Sequence, residues 1–526
     1  MNTPDRHALL LSRRPALFLA ALLLAGCTTV GPTFQAPPSA APADWSAWRS
    51  GDPELRQGLN LTMAPLPQQW WTVFKDATLN DLESRAQQSS LDLQTAALRF
   101  AQARTQRAAT FAQRLPTLDA SAAAHRNRDS ETGASTRLIT GIAPSGGARD
   151  QLISLLSSPY NLYQTGFDAS WEIDLWGRVR RGLEKADADL ESSSDMLAQS
   201  RLSIESEVAR SYFELRTAQR QLLLARADIA AAEETLQLAS ARAQGGLTDQ
   251  VDVKRQGAQL ADLKARLPQL LAQEASAINQ IGVLVGAHPG ELNDTLATPA
   301  PAGPAAAQAP REATLPDLAL GLPSDLTQRR PDIRQAEDKL HAATANIGVA
   351  EGDLLPRITL GASFGFESLL SNQLTDWGSR RWSVGPGISL PIFDGGRRRR
   401  VVELRKLEQQ EAAVSFQQTV LKAWQEVDDA LNSYNAEHKR NLQLQEKQRN
   451  SREAYDLAQA KYKGGMTDFL SPLDAQRTLL QAERDLADSD NQLRARLVAV
   501  YKAIGGGGPG LVPATASNQE GTPASR

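Results

Sequence analysis

Two stretches of about sixty residues each, from Leu183 to Gln244 and from Val401 to Lys463, contain neither glycine nor proline. They are rich in Ala, Leu, Gln, Glu and Arg, the residues that lose least on entering a helix. At 1.5 Å per residue each run makes a rod of roughly 90 Å. A rod of that length has no place in a compact globule and points to a coiled coil or a helical barrel. Aromatic residues make up only 5% of the 526, which also favours long helices.

The two rods belong to a duplication. "ARAQGGLTD" at 241–249 returns as "AKYKGGMTD" at 460–468, a spacing of 219 residues. The same spacing pairs Ser170, Gly177 and Arg178 with Ser389, Gly396 and Arg397, Val208 with Val427, Leu260 with Leu479, and Gly286 with Gly505. Upstream the spacing becomes 240, pairing Asp92, Ala96, Ala103, Leu115 and Pro116 with Asp332, Ala336, Ala343, Leu355 and Pro356. The change in length falls between Pro116 and Ser170 and leaves both flanks aligned, as an insertion in a surface loop does. Each repeat reads as helix, two strands, helix, helix.

The strands alternate. In "ITLGASFGF", Ile358, Leu360, Ala362, Phe364 and Phe366 fall on one face and Thr359, Gly361, Ser363 and Gly365 on the other. Trp382, Val384, Ile388, Leu390 and Ile392 oppose Ser383, Gly385, Gly387 and Ser389 in the same way, with Pro386 an awkward member. In the first repeat Phe167, Ala169, Trp171, Ile173 and Leu175 oppose Asp168, Ser170, Glu172 and Asp174, and Leu118, Ala120, Ala122 and Ala124 oppose Asp119, Ser121 and His125. Strands of 9 to 11 residues, apolar outward and polar inward, suit a transmembrane barrel. A soluble sandwich alternates too, but its dry core does not hold carboxylates such as Asp119, Asp168, Glu172 and Asp174. Four strands cannot close a barrel alone, so the chain must associate through its sheet edges. Periodicity admits two, three or four copies.

The single cysteine, Cys27, closes a secretory signal: Arg6, Arg13 and Arg14, an apolar run from Ala16, then Leu24-Ala25-Gly26-Cys27. The apolar run is too short to span a bilayer. The small residues before Cys27 form a lipobox, and its thiolate is the nucleophile that takes a diacylglyceryl thioether. The expected mature chain begins at acylated Cys27, and Thr28, in place of the aspartate of an inner-membrane retention signal, favours the outer membrane. One thiol excludes an internal disulfide. The net charge of −3 gives no electrostatic case for nucleic acid.

"WWTVFKDATLNDLESRAQQSSLDLQTAALRFAQAR" (70–104), "SWEIDLWGRVRR" (170–181), "GLPSDLTQRRPDIRQAEDKLHAATANIGVAEGDLLP" (321–356) and "LPIFDGGR" (390–397) resemble the signature blocks of outer membrane factors. These are the TolC/NodT-like lipoprotein exit ducts of tripartite RND-type efflux pumps, and the likeness covers nearly all of 27–506. It implies a mainly α-helical protein with a transmembrane β-barrel. A homotrimer would form one 12-stranded barrel, continued by a long periplasmic α-helical barrel. It also implies a periplasmic adaptor and an inner-membrane RND-type pump as partners, besides outer membrane lipids.

Such ducts close and dock at the tips of their helical hairpins, here 242–253 and 461–475. Gly246 and Gly465 fit tight turns between antiparallel helices. By resemblance Tyr462, Gly465, Asp252 and Asp474 match family positions. Thr467 stands where some members carry an arginine, and Ser471-Pro472 replaces a common Asp-Val. A ring of Asp249, Asp252 and Asp468, repeated by symmetry, would attract cations and narrow the aperture; each aspartate alone also suits a helix cap.

"GASFG" (361–365) has the spacing of a nucleophile elbow, but it lies inside an alternating strand and not at a strand-turn-helix corner. Five scattered histidines make no metal cluster, and no residue pattern calls for a cofactor or a catalytic residue. "RRRR" at 397–400 follows the last strand. It reads as a rim where arginines meet lipid head groups, with nucleic-acid contact the lesser alternative.

The expected organisation is a signal peptide (1–26), an N-terminal equatorial segment (27–78) and a first repeat (79–290, β-hairpin 116–176). A Pro/Ala linker (291–320), a second repeat (321–505, β-hairpin 356–394) and a flexible tail (506–526) follow. The function read from these residues is passive export of small molecules through an outer membrane channel. A non-conducting lipoprotein scaffold and a periplasmic adaptor are the alternatives; the first tolerates bulky apolar residues on the inward face, and the second lacks the four strands.

Overall fold

The computed structural model describes residues 29–38, 41–42, 44–45, 47–56, 61–62, 64, 66–133, 136–137, 146–246, 249–297, 318–467 and 470–506. Cys27 and Asp468, expected as lipidation and tip residues, lie outside the described residues, as do 298–317 of the linker and the tail from 507.

Each Gly/Pro-free run lies within a single helix of 67 residues, α3 (Arg178–Gln244) and α6 (Arg397–Lys463). Each is followed by a shorter helix, α4 (Gln250–Val285) and α7 (Leu470–Ala503). The remaining long helices are α1 (Ala77–Ser89), α2 (Leu91–Ala112) and α5 (Pro331–Gly352). No helix among the described residues is long and apolar enough to cross a membrane.

The duplication is visible in the backbone. Gly177 and Gly396, just before α3 and α6, have φ of 78° and 82°; Gly246 and Gly465, just after them, both have 71°. Gly286 and Gly505, after α4 and α7, have 72° and 88°. Glycine enters this left-handed region without the steric penalty other residues meet, so helix ends recur where the repeat places glycine.

The chain forms two compact units. One comprises, of the described residues, those in 29–35, 104–189 and 339–412. At its heart is a four-stranded antiparallel sheet of β1 (Thr117–Asn127), β2 (Tyr160–Ile173), β3 (Arg357–Ser368) and β4 (Arg380–Ser389), in that spatial order. The hairpins of the two repeats meet where β2 pairs β3, with Ala169 opposite Ala362. β1 and β4 are the edges, and an edge is where a strand accepts a proline such as Pro386. A ten-residue helix, Gly147–Leu156, occupies part of the segment expected as loop between β1 and β2. The extended residues from Thr29 anchor to the same unit. Val30 N–H donates to the Trp176 carbonyl at 3.1 Å, and the Arg181 guanidinium donates to the carbonyls of Val30 and Gly31 at 3.0 and 3.1 Å. Phe34 stacks on His341, ring centres 4.4 Å apart.

The other unit comprises, of the described residues, those in 36–103, 190–338 and 413–506. Its core is apolar and aromatic: Trp70 and Tyr501 stack at 5.5 Å, and Leu79, Leu82, Tyr212, Leu215, Ile281 and Leu497 are fully enclosed around them. Asp76 caps α1, accepting from the N–H groups of Thr78 and Leu79 at 2.9 and 3.1 Å, and its other oxygen accepts the Tyr212 hydroxyl at 2.6 Å. One side chain thus starts a helix and fixes it to α3.

Candidate functional site

The sheet has two chemically distinct faces. Register places Leu118, Ala169, Ala362 and Val384 in one row, and Ala120, Phe167, Phe364 and Trp382 in the next. Phe167, Phe364, Trp382, Val384 and Ile388 are all exposed on this face. The opposite face carries Asp119, Asp168, Ser363 and Ser383 in one row and Glu172, Thr359 and Gly387 in another. The Ser363 and Ser383 hydroxyls lie 2.9 Å apart, so Ser363 sits mid-strand in a cross-strand pair and occupies no nucleophile elbow.

Glu172 is gripped by Arg178, which donates from Nε and Nη2 at 2.9 and 2.8 Å, with Arg357 Nε at 3.6 Å. The pair is bidentate, the strong form of an Arg–carboxylate contact. Asp174 differs from its expected place on the strand face. β2 ends at Ile173, and Asp174 accepts from the backbone N–H groups of Val179 and Arg180 at 3.1 and 2.8 Å. An aspartate just before a helix meets donors that have no partner within the helix, which draws it into capping α3.

At the hairpin tips, Gly246 and Gly465 make the turns after α3 and α6. Asp249 caps α4, accepting from Val251 N–H at 3.2 Å, and Asp252 in the first turn lies 3.9 Å from Arg255. Asp474 is exposed on α7. Tyr462 is buried beside Leu473. Over its ring, 4.5 Å from the centre, lies the Arg242 guanidinium, which also donates to the carbonyls of Tyr462 and Lys463 at 3.2 and 3.3 Å. Arg242 joins the tip of α3 to the tip of α6 by a cation–π contact and two hydrogen bonds. The sequence reading did not single it out; its one signal is that the 219-residue spacing sets it against another base, Lys461.

An antiparallel sheet that is apolar on one face and carboxylate-bearing on the other, held in a chain duplicated around two 67-residue helices, defines a class: channel-type proteins of the outer membrane. The chain belongs to the outer membrane efflux protein family, whose model matches residues 82–287 and 322–506. It is 31% identical to the outer membrane protein OprJ of Pseudomonas aeruginosa, over 94% of this chain and 97% of that one. It is 32% identical to the pyoverdine export outer membrane protein OpmQ of Pseudomonas putida, over 94% and 98%. The solved outer-membrane channel OprN superposes with a TM-score of 0.78 at 32% identity, covering 91% of this chain and 99% of that chain. The protein is an outer membrane efflux protein, and its family is one of channels and not of enzymes.

Proposed function

We propose that this protein is the channel subunit of a tripartite pump, anchored in the outer membrane through acylated Cys27 and passing small molecules outward passively. The observation that carries the reading is the sheet. Its four strands leave β1 and β4 unpaired along their outer sides, its large apolar side chains stand exposed on one face, and Asp119, Asp168 and Glu172 occupy the other. Three copies joined edge to edge supply twelve strands, enough to close a barrel with apolar residues toward lipid and carboxylates toward water. The long helices continue the conduit as an α-helical barrel into the periplasm. The tips, with Gly246, Asp249, Asp252, Tyr462, Gly465, Asp468 and Asp474, form the aperture where a periplasmic adaptor docks. An inner-membrane RND-type pump supplies the force. Arg242 on Tyr462 holds the tips of α3 and α6 together in the resting state, and an adaptor opens them by binding the separated arrangement better.

Single-channel conductance in planar bilayers tests this, comparing wild type with Asp252→Ala combined with Asp468→Ala. A small cation-selective conductance that grows in the double variant supports a duct gated at its tips. No conductance from either, with oligomers verified in the same sample, overturns the channel reading in favour of a scaffold.

A further inference from the structure

Immediately after β4 the chain presents three large apolar side chains and then four arginines. Leu390 is exposed, and Ile392 and Phe393 are 92% and 91% exposed. Neither β3 nor any other described element covers them. After the turn at Asp394, Gly395 and Gly396 come Arg397, Arg398, Arg399 and Arg400, the start of α6. Arg398 lies 3.9 Å from Asp394, and Arg400 pairs with Glu403 at 2.7 Å. Arg397 and Arg399 are exposed and make no ion pair or side-chain hydrogen bond among the described residues. The first turn of α6 holds no acidic residue, and cations at the positive end of a helix are held at a cost, so Arg397 and Arg399, unlike Arg400 with its Glu403, gain nothing from α6 itself.

Apolar side chains that shed water on one side of a turn, and free guanidinium groups on the other, match one kind of surface. Acyl chains accept the first group, and phosphate accepts the second bidentately while the arginine stems lie along apolar surface. Trp382, Val384 and Ile388, on the β4 strand just before them, are exposed apolar residues too. We propose that Leu390–Arg400 is a seat for an anionic phospholipid: Leu390, Ile392 and Phe393 lie among its acyl chains, and Arg397 and Arg399 supply the positive charge that its anionic head group meets. The assignment rests on the reading of the sheet as membrane-spanning.

The test is native mass spectrometry of the full-length oligomer after delipidation. It is titrated separately with a phosphatidylglycerol, a phosphatidylcholine and inorganic phosphate. Wild type is expected to retain phosphatidylglycerol about 30-fold better than phosphatidylcholine, the worth of two arginines at an anionic surface. Arg397→Gln combined with Arg399→Gln is expected to bring the two lipids level, and Ile392→Ser with Phe393→Ser to weaken both. Equal retention of the two lipids by wild type, or an undiminished preference in the arginine variant, overturns the proposal. Inorganic phosphate displacing phosphatidylglycerol completely at millimolar concentration also overturns it, because the acyl chains would then contribute nothing. Bilayer conductance is measured on the same preparations. A lipid preference in a non-conducting oligomer would sink the channel reading and leave the lipid seat standing, whereas a conducting oligomer without the preference does the reverse.

Discussion

Position 83 shows how one residue sets a condition on the whole molecule. The buried stripe of α1 is Leu79, Leu82, Glu83 and Ala86, so a carboxyl occupies a core position. Neither oxygen of Glu83 has a hydrogen-bond partner among the described residues, and its pKa is pushed well above the usual carboxylate range, first by burial and then by Glu205. Glu205, which accepts from Gln87 at 2.9 Å and lies 3.5 Å from Arg201, is itself pushed up to about 7, mainly by burial. Folded pKa values above the unfolded value of 4.5 mean that the folded state keeps protons the unfolded state has released. Both groups therefore make stability fall as pH rises from about 4.5, and the part due to Glu205 levels off above about 7. Glu205→Gln is expected to flatten that decline by up to about 3 kcal/mol between pH 5 and 8, read from denaturant midpoints at each pH. For the tip closure proposed above, Arg242→Ala removes the cation–π and hydrogen-bond contacts on Tyr462 and is expected to raise single-channel conductance without loss of oligomer. An unchanged conductance would remove Arg242 from the closure. Neither role is legible in the sequence. The apolar stripe of α1 reads the same whether position 83 faces core or solvent, and Arg242 meets Tyr462 only through the pairing of two helices 220 residues apart.

The elements carry the duplication. Matched glycines end matched helices, but the glycine after α3 and the glycine after α4 have different surroundings, and substitutions there separate backbone strain from crowding. At Gly246 an added Cβ meets nothing within 4 Å, so Gly246→Ala bears only the left-handed backbone penalty, about 1 kcal/mol. At Gly286 the added carbon lies 2.6 Å from the Ser89 carbonyl oxygen, so Gly286→Ala is expected to cost clearly more in thermal denaturation; equal losses would refute the distinction. The sheet offers a second contrast. Ala362 and Ser363 are neighbours on β3 that face opposite sides, and Ser363 lies directly opposite Asp168. If the sheet forms the proposed barrel, Ala362→Arg is expected to destabilise it by about 2–4 kcal/mol, while Ser363→Arg finds a carboxylate and is tolerated. Heat-modifiable gel mobility reads both, and equal loss in the two would mean the face assignment is wrong. Alternation was legible because a period of two needs only adjacent residues. The end of β2 was not: "SWEIDLW" continues the alternation through Asp174, and only the competing donors at the start of α3 draw that aspartate out of the strand.

At the scale of the molecule, the four-stranded sheet with two open edges is the constraint. In the proposed membrane-spanning arrangement no water satisfies the outer N–H and C=O groups of β1 and β4, so these edges would pair with other copies. Native mass spectrometry of the detergent-purified protein is expected to give a trimer, and a stable monomer would rule out the twelve-stranded barrel. What the sequence determined by itself is whatever depends on short spacings and local backbone cost. The long helices follow from runs without glycine or proline, the turns from repeated glycines, the two faces of each strand from alternation, and the twofold plan from a constant spacing. What the tertiary structure decided is whatever depends on residues far apart in the chain coming together. The register joining β2 to β3 unites the two repeats in one sheet, Asp76 fastens α1 to α3, and Glu83 shares the core with Glu205. The physical reason is that periodicity reports which side of an element a residue faces, whereas the energy of an ion pair, a buried carboxyl or a strand edge is set by what stands opposite.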